Sequence, residues 1–193
     1  MLKRFSNFLR RMSKGWVVLT FLGLFILVVS VIFPIISTRL GVPDDVQKID
    51  LLFGYTPQQL YRIMQEFGQV GRRAYALNHL TSDVIFPLVY AFLFSTAISY
   101  TFVRAFPPSS WLQYINLLPF GLLVVDFIEN FSLVALLLTY PQKLTVLAGF
   151  AGAVTALKWV LSFLSVAASI TGLAAMLFRK YKGGRLRPLN QGD

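Results

Sequence analysis

Residues 114–138 read YINLLPFGLLVVDFIENFSLVALLL, an apolar run long enough to cross a bilayer. Asp126, Glu129 and Asn130 lie in its middle. Ionisable side chains are costly in hydrocarbon and normally face a bundle interior or a cavity. The stretch therefore predicts a transmembrane helix that needs neighbours for its polar face. Three further runs supply them, at about 15–36, 83–103 and 155–178, giving an all-α transmembrane four-helix bundle in residues 15–178.

Composition agrees. Of the 193 residues, 56% are hydrophobic and 13% charged, where soluble domains carry about a quarter charged residues. The absence of cysteine excludes a disulfide-stapled domain and a cysteine-built metal site. The apolar content excludes disorder.

The net charge of +10 sits mainly on two tails. Residues 1–14 carry Lys3, Arg4, Arg10, Arg11 and Lys14, and residues 179–193 carry Arg179, Lys180, Lys182, Arg185 and Arg187. Both tails abut apolar runs, which the positive-inside rule reads as cytoplasmic. Four crossings then place residues 37–82 outside an inner or plasma membrane. The nearer partners of these tails are anionic lipid headgroups rather than nucleic acid. Phe5, Phe8, Leu9 and Met12 recur at helical spacing and suggest an amphipathic lead-in on the inner leaflet. Alternatively, the charges only set topology.

The first run contains no ionisable residue and exceeds the length of a signal-peptide core, so it reads as an uncleaved signal anchor. Outside, Thr56-Pro57-Gln58-Gln59 forms a capping-box start. Leu60, Ile63, Met64 and Phe67 then predict a short amphipathic external helix, a lid or a packing element, with Gly68 as its stop. A second helix is expected to start near Gly71 and run on into the second span, with Pro87 as a kink. The apolar stretch 144–178 would be about 52 Å long as one helix, so a division near Gly149–Gly152 is expected.

Helical periodicity groups the polar residues. Arg72, Tyr75, His79, Asp83, Phe86 and Tyr90 share one stripe, while Asp126, Glu129 and Asn130 share another. Lys158, Ser162, Ser165, Ser169 and Gly172 share a third. Depths of about 18 Å for Asp126, 22 Å for Glu129 and 30 Å for Asp83 and Lys158 allow convergence in the outer half of the bundle. The expected result is an outward-opening polar pocket with Lys158 as counter-ion of Asp126 and Glu129. The serines also fit plain tight packing.

Several chemistries can be tested against these residues. His79, Asp83, Asp126 and Glu129 are conceivable ligands for a hard or borderline divalent ion, but there is one His and no HExxH pair. The paired carboxylates could support acid–base work on a lipid. No GxSxG motif or cysteine offers a nucleophile. No phosphate loop is present, and no cofactor is predicted. Arg72 and Arg73 could hold an anionic headgroup or cap the bundle. Two function classes stay open: a cavity binding a lipid-like or amphipathic ligand, and a non-catalytic partner in a membrane assembly or homo-oligomer.

The stretches Gly71-Arg72-Arg73-Ala74-Tyr75, Asp83-Val84-Ile85-Phe86-Pro87-Leu88-Val89-Tyr90, Asp126-Phe127-Ile128-Glu129-Asn130 and Thr155-Ala156-Leu157-Lys158 resemble a pattern in uncharacterised four-helix bacterial membrane proteins. The resemblance covers about residues 55–178 and implies the architecture and the choice of residues, with no activity attached. Emopamil-binding-type sterol isomerases also place acids inside a small bundle, but on a first helix with polar site residues. The first run here has none, so that likeness stays at the level of fold.

Overall fold

The computed structural model describes residues 1–185, and the end of the basic C-terminal tail, with Arg187 and Asp193, lies outside the described residues. These residues form helices joined by short loops, with no strand among them. In chain order the α-helices are α1 (Leu2–Met12), α2 (Gly15–Leu27), α3 (Phe33–Leu40), α4 (Pro57–Glu66) and α5 (Gly68–Leu80). They continue with α6 (Ser82–Ala105), α7 (Leu118–Thr139) and α8 (Thr145–Arg185). A π-helical turn at Val28–Ile32 joins α2 to α3, and a 3₁₀ segment at Trp111–Leu117 leads into α7. Four stretches are long and apolar enough to cross a membrane: Gly15–Leu40, Gly68–Ala105, Trp111–Thr139 and Thr145–Lys182. The helix α6 is the hub, packing against α2, α7 and α8.

The π turn has a local cause. Phe33 N–H bonds back to the Val28 carbonyl, five residues earlier, immediately before Pro34, which has no N–H to give. The slipped register absorbs the proline without ending the helix.

Two expectations about helix limits need correction. The helix expected to start near Gly71 and run on into the second span starts at Gly68, and a turn at Thr81 divides it from that span. At the break Thr81 leaves the helical region, with φ −118° and ψ −83°; its Oγ1 donates to the Leu77 carbonyl at 2.7 Å and Ser82 Oγ donates to the Asn78 carbonyl at 3.1 Å. The division expected near Gly149–Gly152 is absent, since α8 runs unbroken through it. Its 41 residues span about 61 Å. The glycines instead let another chain segment approach. A Cβ on Gly152 would collide with the Tyr55 carbonyl, and one on Gly54 would lie 3.3 Å from the Gly152 carbonyl.

The bundle has two unlike ends. At the loop end, residues 41–56, α4 and α5 pack on α7 and α8 around buried Ile49, Leu60, Met64, Tyr75, Leu133 and Leu136. The Thr56–Gln59 capping box forms as expected, at 2.9 and 3.3 Å. The helix α4 is thus a packing element seated on the bundle. Gly41 and Gly68 adopt φ values of 71° and 62°, turning the chain after α3 and between α4 and α5. At the tail end, α1 docks on α6 and the 3₁₀ segment, burying Leu9 and Ser6 completely. Ser6 Oγ donates to Asn116 Oδ1 at 2.9 Å, while Asn116 Nδ2 donates to the Ser6 carbonyl and to Ser99 Oγ. This polar clasp attaches α1 to the protein itself.

Candidate functional site

A cavity of about 270 Å³ lies between the four long helical stretches, beneath residues 50 and 51 of the loop. Its polar lining comes from Asp50, Asp83, Asp126, Asn130, Lys158 and Ser162. Rings of Phe25, Phe33, Phe86, Tyr90, Phe94 and Trp159 supply much of the apolar wall. Phe86 links three of these rings, with centroid distances of 5.4 Å to Phe25, 5.0 Å to Phe33 and 5.3 Å to Tyr90.

Pro87 explains part of the polar arrangement. Proline at this position leaves the carbonyl of residue 83 without its helical donor. Asn130 Nδ2 on α7 fills the gap, donating to the Asp83 carbonyl at 2.9 Å. The Asn130 Oδ1 then lies 3.0 Å from His79 Nδ1, which is 2.7 Å from Asp83 Oδ2. Both neighbours are acceptors, so the network places the imidazole proton on Nδ1. The proline that disturbs α6 therefore creates the attachment between α5, α6 and α7.

The two acids of α7 have different partners. Glu129 is completely buried, with Oε2 at 2.5 Å from Lys158 Nζ and Oε1 accepting from Thr155 Oγ1 at 2.6 Å. Lys158 Nζ also donates to the Asp50 carbonyl at 3.2 Å, so this ion pair ties α7, α8 and the loop together. Asp126 instead accepts from the Tyr90 hydroxyl at 2.6 Å. The expected Lys158 counter-ion is thus in contact with Glu129, while Asp126 faces the cavity with a phenol as partner.

Of the polar residues on the three stripes, Asp83, Tyr90, Asp126, Asn130, Lys158 and Ser162 line it. Glu129 stands behind Lys158, and His79 stands behind Asp83. Tyr75 lines an adjoining cavity of about 400 Å³ toward the loop, which shares Phe33, Asp50, Leu51 and Asp83 with the first. Arg72 is not part of the cluster: its guanidinium stacks 3.9 Å from the Tyr140 ring centroid and donates to the Met64 carbonyl at 2.8 Å. The metal alternative fails on the same geometry. Among the described residues no group of three or more His, Asp or Glu is placed to hold a metal, because His79 pairs with Asp83 while Asp126 and Glu129 turn to Tyr90 and Lys158.

Sequence reasoning missed Asp50. It lies in the loop, outside every span and every periodic stripe, and comes to the cavity because Tyr75 holds it. The Tyr75 hydroxyl donates to the Asp50 carboxylate and accepts from the Ile49 N–H at 2.9 Å. Burial pushes the Asp50 carboxyl up, but the positive fields of His79 and Lys158 and the Tyr75 hydrogen bond outweigh it. The carboxyl is held below its usual range. Thr155, one turn before Lys158 on α8, stands in the Thr155–Lys158 stretch quoted above, and its bond to Glu129 gives it a place beside the ion pair.

The serine stripe of α8 has a mixed role. Ser162, Ser165 and Ser169 donate to the carbonyls of Lys158, Leu161 and Ser165 in their own helix. Ser162 nevertheless lines the cavity, while Ser165 is fully buried.

Comparison of the chain with protein-family models, with curated proteins and with solved structures finds no match. The functional reading therefore rests on the geometry alone.

Proposed function

We propose that this is a multi-pass protein of the cell membrane that holds a lipid-like, amphipathic ligand in the cavity between its spans. In this reading both termini are cytoplasmic and the loop end faces outward. The observation that carries it is the wall of the cavity: polar groups cluster toward residues 50, 83 and 158, and rings and aliphatic side chains form the rest. An amphipathic molecule matches such a division, with its headgroup among the polar groups and its chain along the apolar wall. The stretches Gly15–Leu40 and Thr145–Lys182, which flank α6, bury little of their apolar surface within the protein and leave it for bilayer lipid. The distribution of charge supports the orientation. Arg10, Arg11, Lys14, Arg104 and Arg179 belong to the tail end, where Arg179 bonds to the Arg104 and Ala105 carbonyls. Anionic headgroups are the proposed partners of that surface.

The buried Glu129–Lys158–Thr155 set supports a division of labour. These side chains and Asn130 lock helices, while Asp83 and Asp126 present carboxylates to the ligand.

Photo-crosslinking tests the reading. Protein in vesicles is offered a phospholipid with a diazirine in its acyl chain, and adducts are mapped by peptide mass spectrometry. Adducts concentrated at Phe94, Leu122 and Val166 are expected. Labelling spread evenly over exposed residues such as Leu22 and Phe163 would contradict a ligand-holding cavity. A cysteine introduced at residue 5 tests orientation, since its labelling from outside intact cells would overturn the topology.

A further inference from the structure

The cavity is unbalanced in charge. Asp50, Asp83, Asp126 and Lys158 line it, which is three carboxyls against one ammonium. That ammonium is already engaged, at 2.5 Å from Glu129, a fourth carboxylate immediately behind the wall. The net formal charge facing the cavity is therefore negative. His79, 2.7 Å from Asp83, offsets at most that one carboxyl, so Asp50 and Asp126 remain in excess. The same cavity is walled by six aromatic rings. Carboxylates combined with aromatic faces are the recognition chemistry of organic ammonium groups, which gain cation–π attraction that anions and neutral polyols do not.

A second feature concerns the rest of the ligand. One helical turn farther along α6 and α8, past Phe94 and Val166, a trough of about 450 Å³ begins. Val18 and Leu19 of α2, Ala97 and Tyr100 of α6, and Ile170 and Leu173 of α8 line it. Its wall is almost wholly apolar. Beside Lys158 in the wall of the polar cavity, the Trp159 indole N–H is buried with no hydrogen-bond partner among the described residues.

We propose that the ligand is a cationic amphiphile, with a quaternary ammonium or protonated amine held among Asp50, Asp83, Asp126 and the aromatic rings, and its chain laid in the α2–α6–α8 trough. This rests on the lipid-binding reading above and adds the sign of the headgroup and the path of the chain. The trimethylammonium group can come from a free cationic amphiphile or from a choline lipid, and the two are separated by the test.

The test uses Trp159 as reporter. Trp16 and Trp111 are 66% and 72% exposed and do not line the cavity, so W16F/W111F leaves one tryptophan on the wall. The full chain in dodecyl maltoside micelles is titrated with four probes of equal chain length: hexadecyltrimethylammonium, hexadecyl lysophosphatidylcholine, hexadecyl phosphate and hexadecyl maltoside. The cation is expected to change Trp159 emission with about tenfold or more tighter half-saturation than the phosphate or the maltoside. Matching affinity for the lysolipid identifies a choline headgroup, and weaker binding identifies a free cationic amphiphile. Asp126→Asn should weaken the cation about tenfold and leave the maltoside unchanged. Asp50→Asn makes the same test from the loop should Asp126→Asn fail to purify. Equal or tighter binding of hexadecyl phosphate would overturn the cationic assignment while leaving the lipid-binding reading intact, with Lys158 as the headgroup contact. Failure of all four probes to alter Trp159 emission would overturn the lipid-binding reading itself.

Discussion

Replacing Lys158 by Met strands a carboxylate, and the structure sets the size of the effect. The Nζ–Oε2 separation of 2.5 Å corresponds to about 7 kcal/mol of Coulomb attraction at an effective dielectric of about 20. Desolvation of both groups offsets much of this. What remains observable is the cost of leaving Glu129 buried with the Thr155 hydroxyl as its remaining partner, typically ~3–5 kcal/mol. Glu129→Gln should cost less, about 1–3 kcal/mol. The glutamine keeps an acceptor for Thr155, and Lys158 retains the Asp50 carbonyl. The double variant removes both charges, so it should recover at least about 1.5 kcal/mol relative to the sum of the single losses. The assay is a double-mutant cycle on equilibrium unfolding in mixed micelles near neutral pH. Additive losses would refute the reasoning, because they would mean that the two side chains do not interact in the folded protein.

Other consequences follow from the same geometry. Asn130→Ala leaves the Asp83 carbonyl unpaired and should cost about 1–3 kcal/mol in the same unfolding assay. In a Pro87→Ala background the restored backbone N–H should shrink that cost, and an unchanged cost would contradict the assignment of Asn130 as the substitute donor. Gly152→Ala should destabilise by about 1–3 kcal/mol through its collision with the Tyr55 carbonyl. Gly121→Ala, where a Cβ meets nothing within 4 Å, should be neutral or stabilising. The Asp50 carboxyl is depressed in the folded protein, so its contribution to holding the loop is complete above about pH 3.9, the unfolded value. It is lost as pH falls below that point toward the folded value. Amide exchange at Ile49 should therefore accelerate at low pH beyond the intrinsic trend, and Tyr75→Phe should remove the difference.

The helical class and the four long apolar stretches were legible because length and hydropathy alone determine them. The stripe of α6 and α7 was legible for a related reason: Asp83, Tyr90, Asp126 and Asn130 cannot face lipid, and helical spacing leaves them one direction. What failed had local or long-range causes. The break at Thr81 leaves no mark in the periodicity, because the polar stripe from Arg72 to Tyr90 reads straight through it. Gly149 and Gly152 looked like breakers, yet the contact of Gly152 with the loop backbone at Tyr55 is a tertiary fact. Asp50 sits in a single 3₁₀ turn, Ile49–Leu51, too short to show a period, and the long-range Tyr75 contact brings it in. Arg72 shares the angular position of His79, but two turns nearer the loop end the Tyr140 ring and the Met64 carbonyl hold it.

The central claim is that the space among the four long helices is a ligand site. Its most direct test is native mass spectrometry of the protein extracted from its own membrane, compared with Ser162→Trp, which fills the cavity from α8. The wild-type chain should carry a discrete bound mass of an amphiphile, lost in the variant while the variant remains folded. A wild-type spectrum with no bound mass, or the same adduct retained by folded Ser162→Trp, would contradict it.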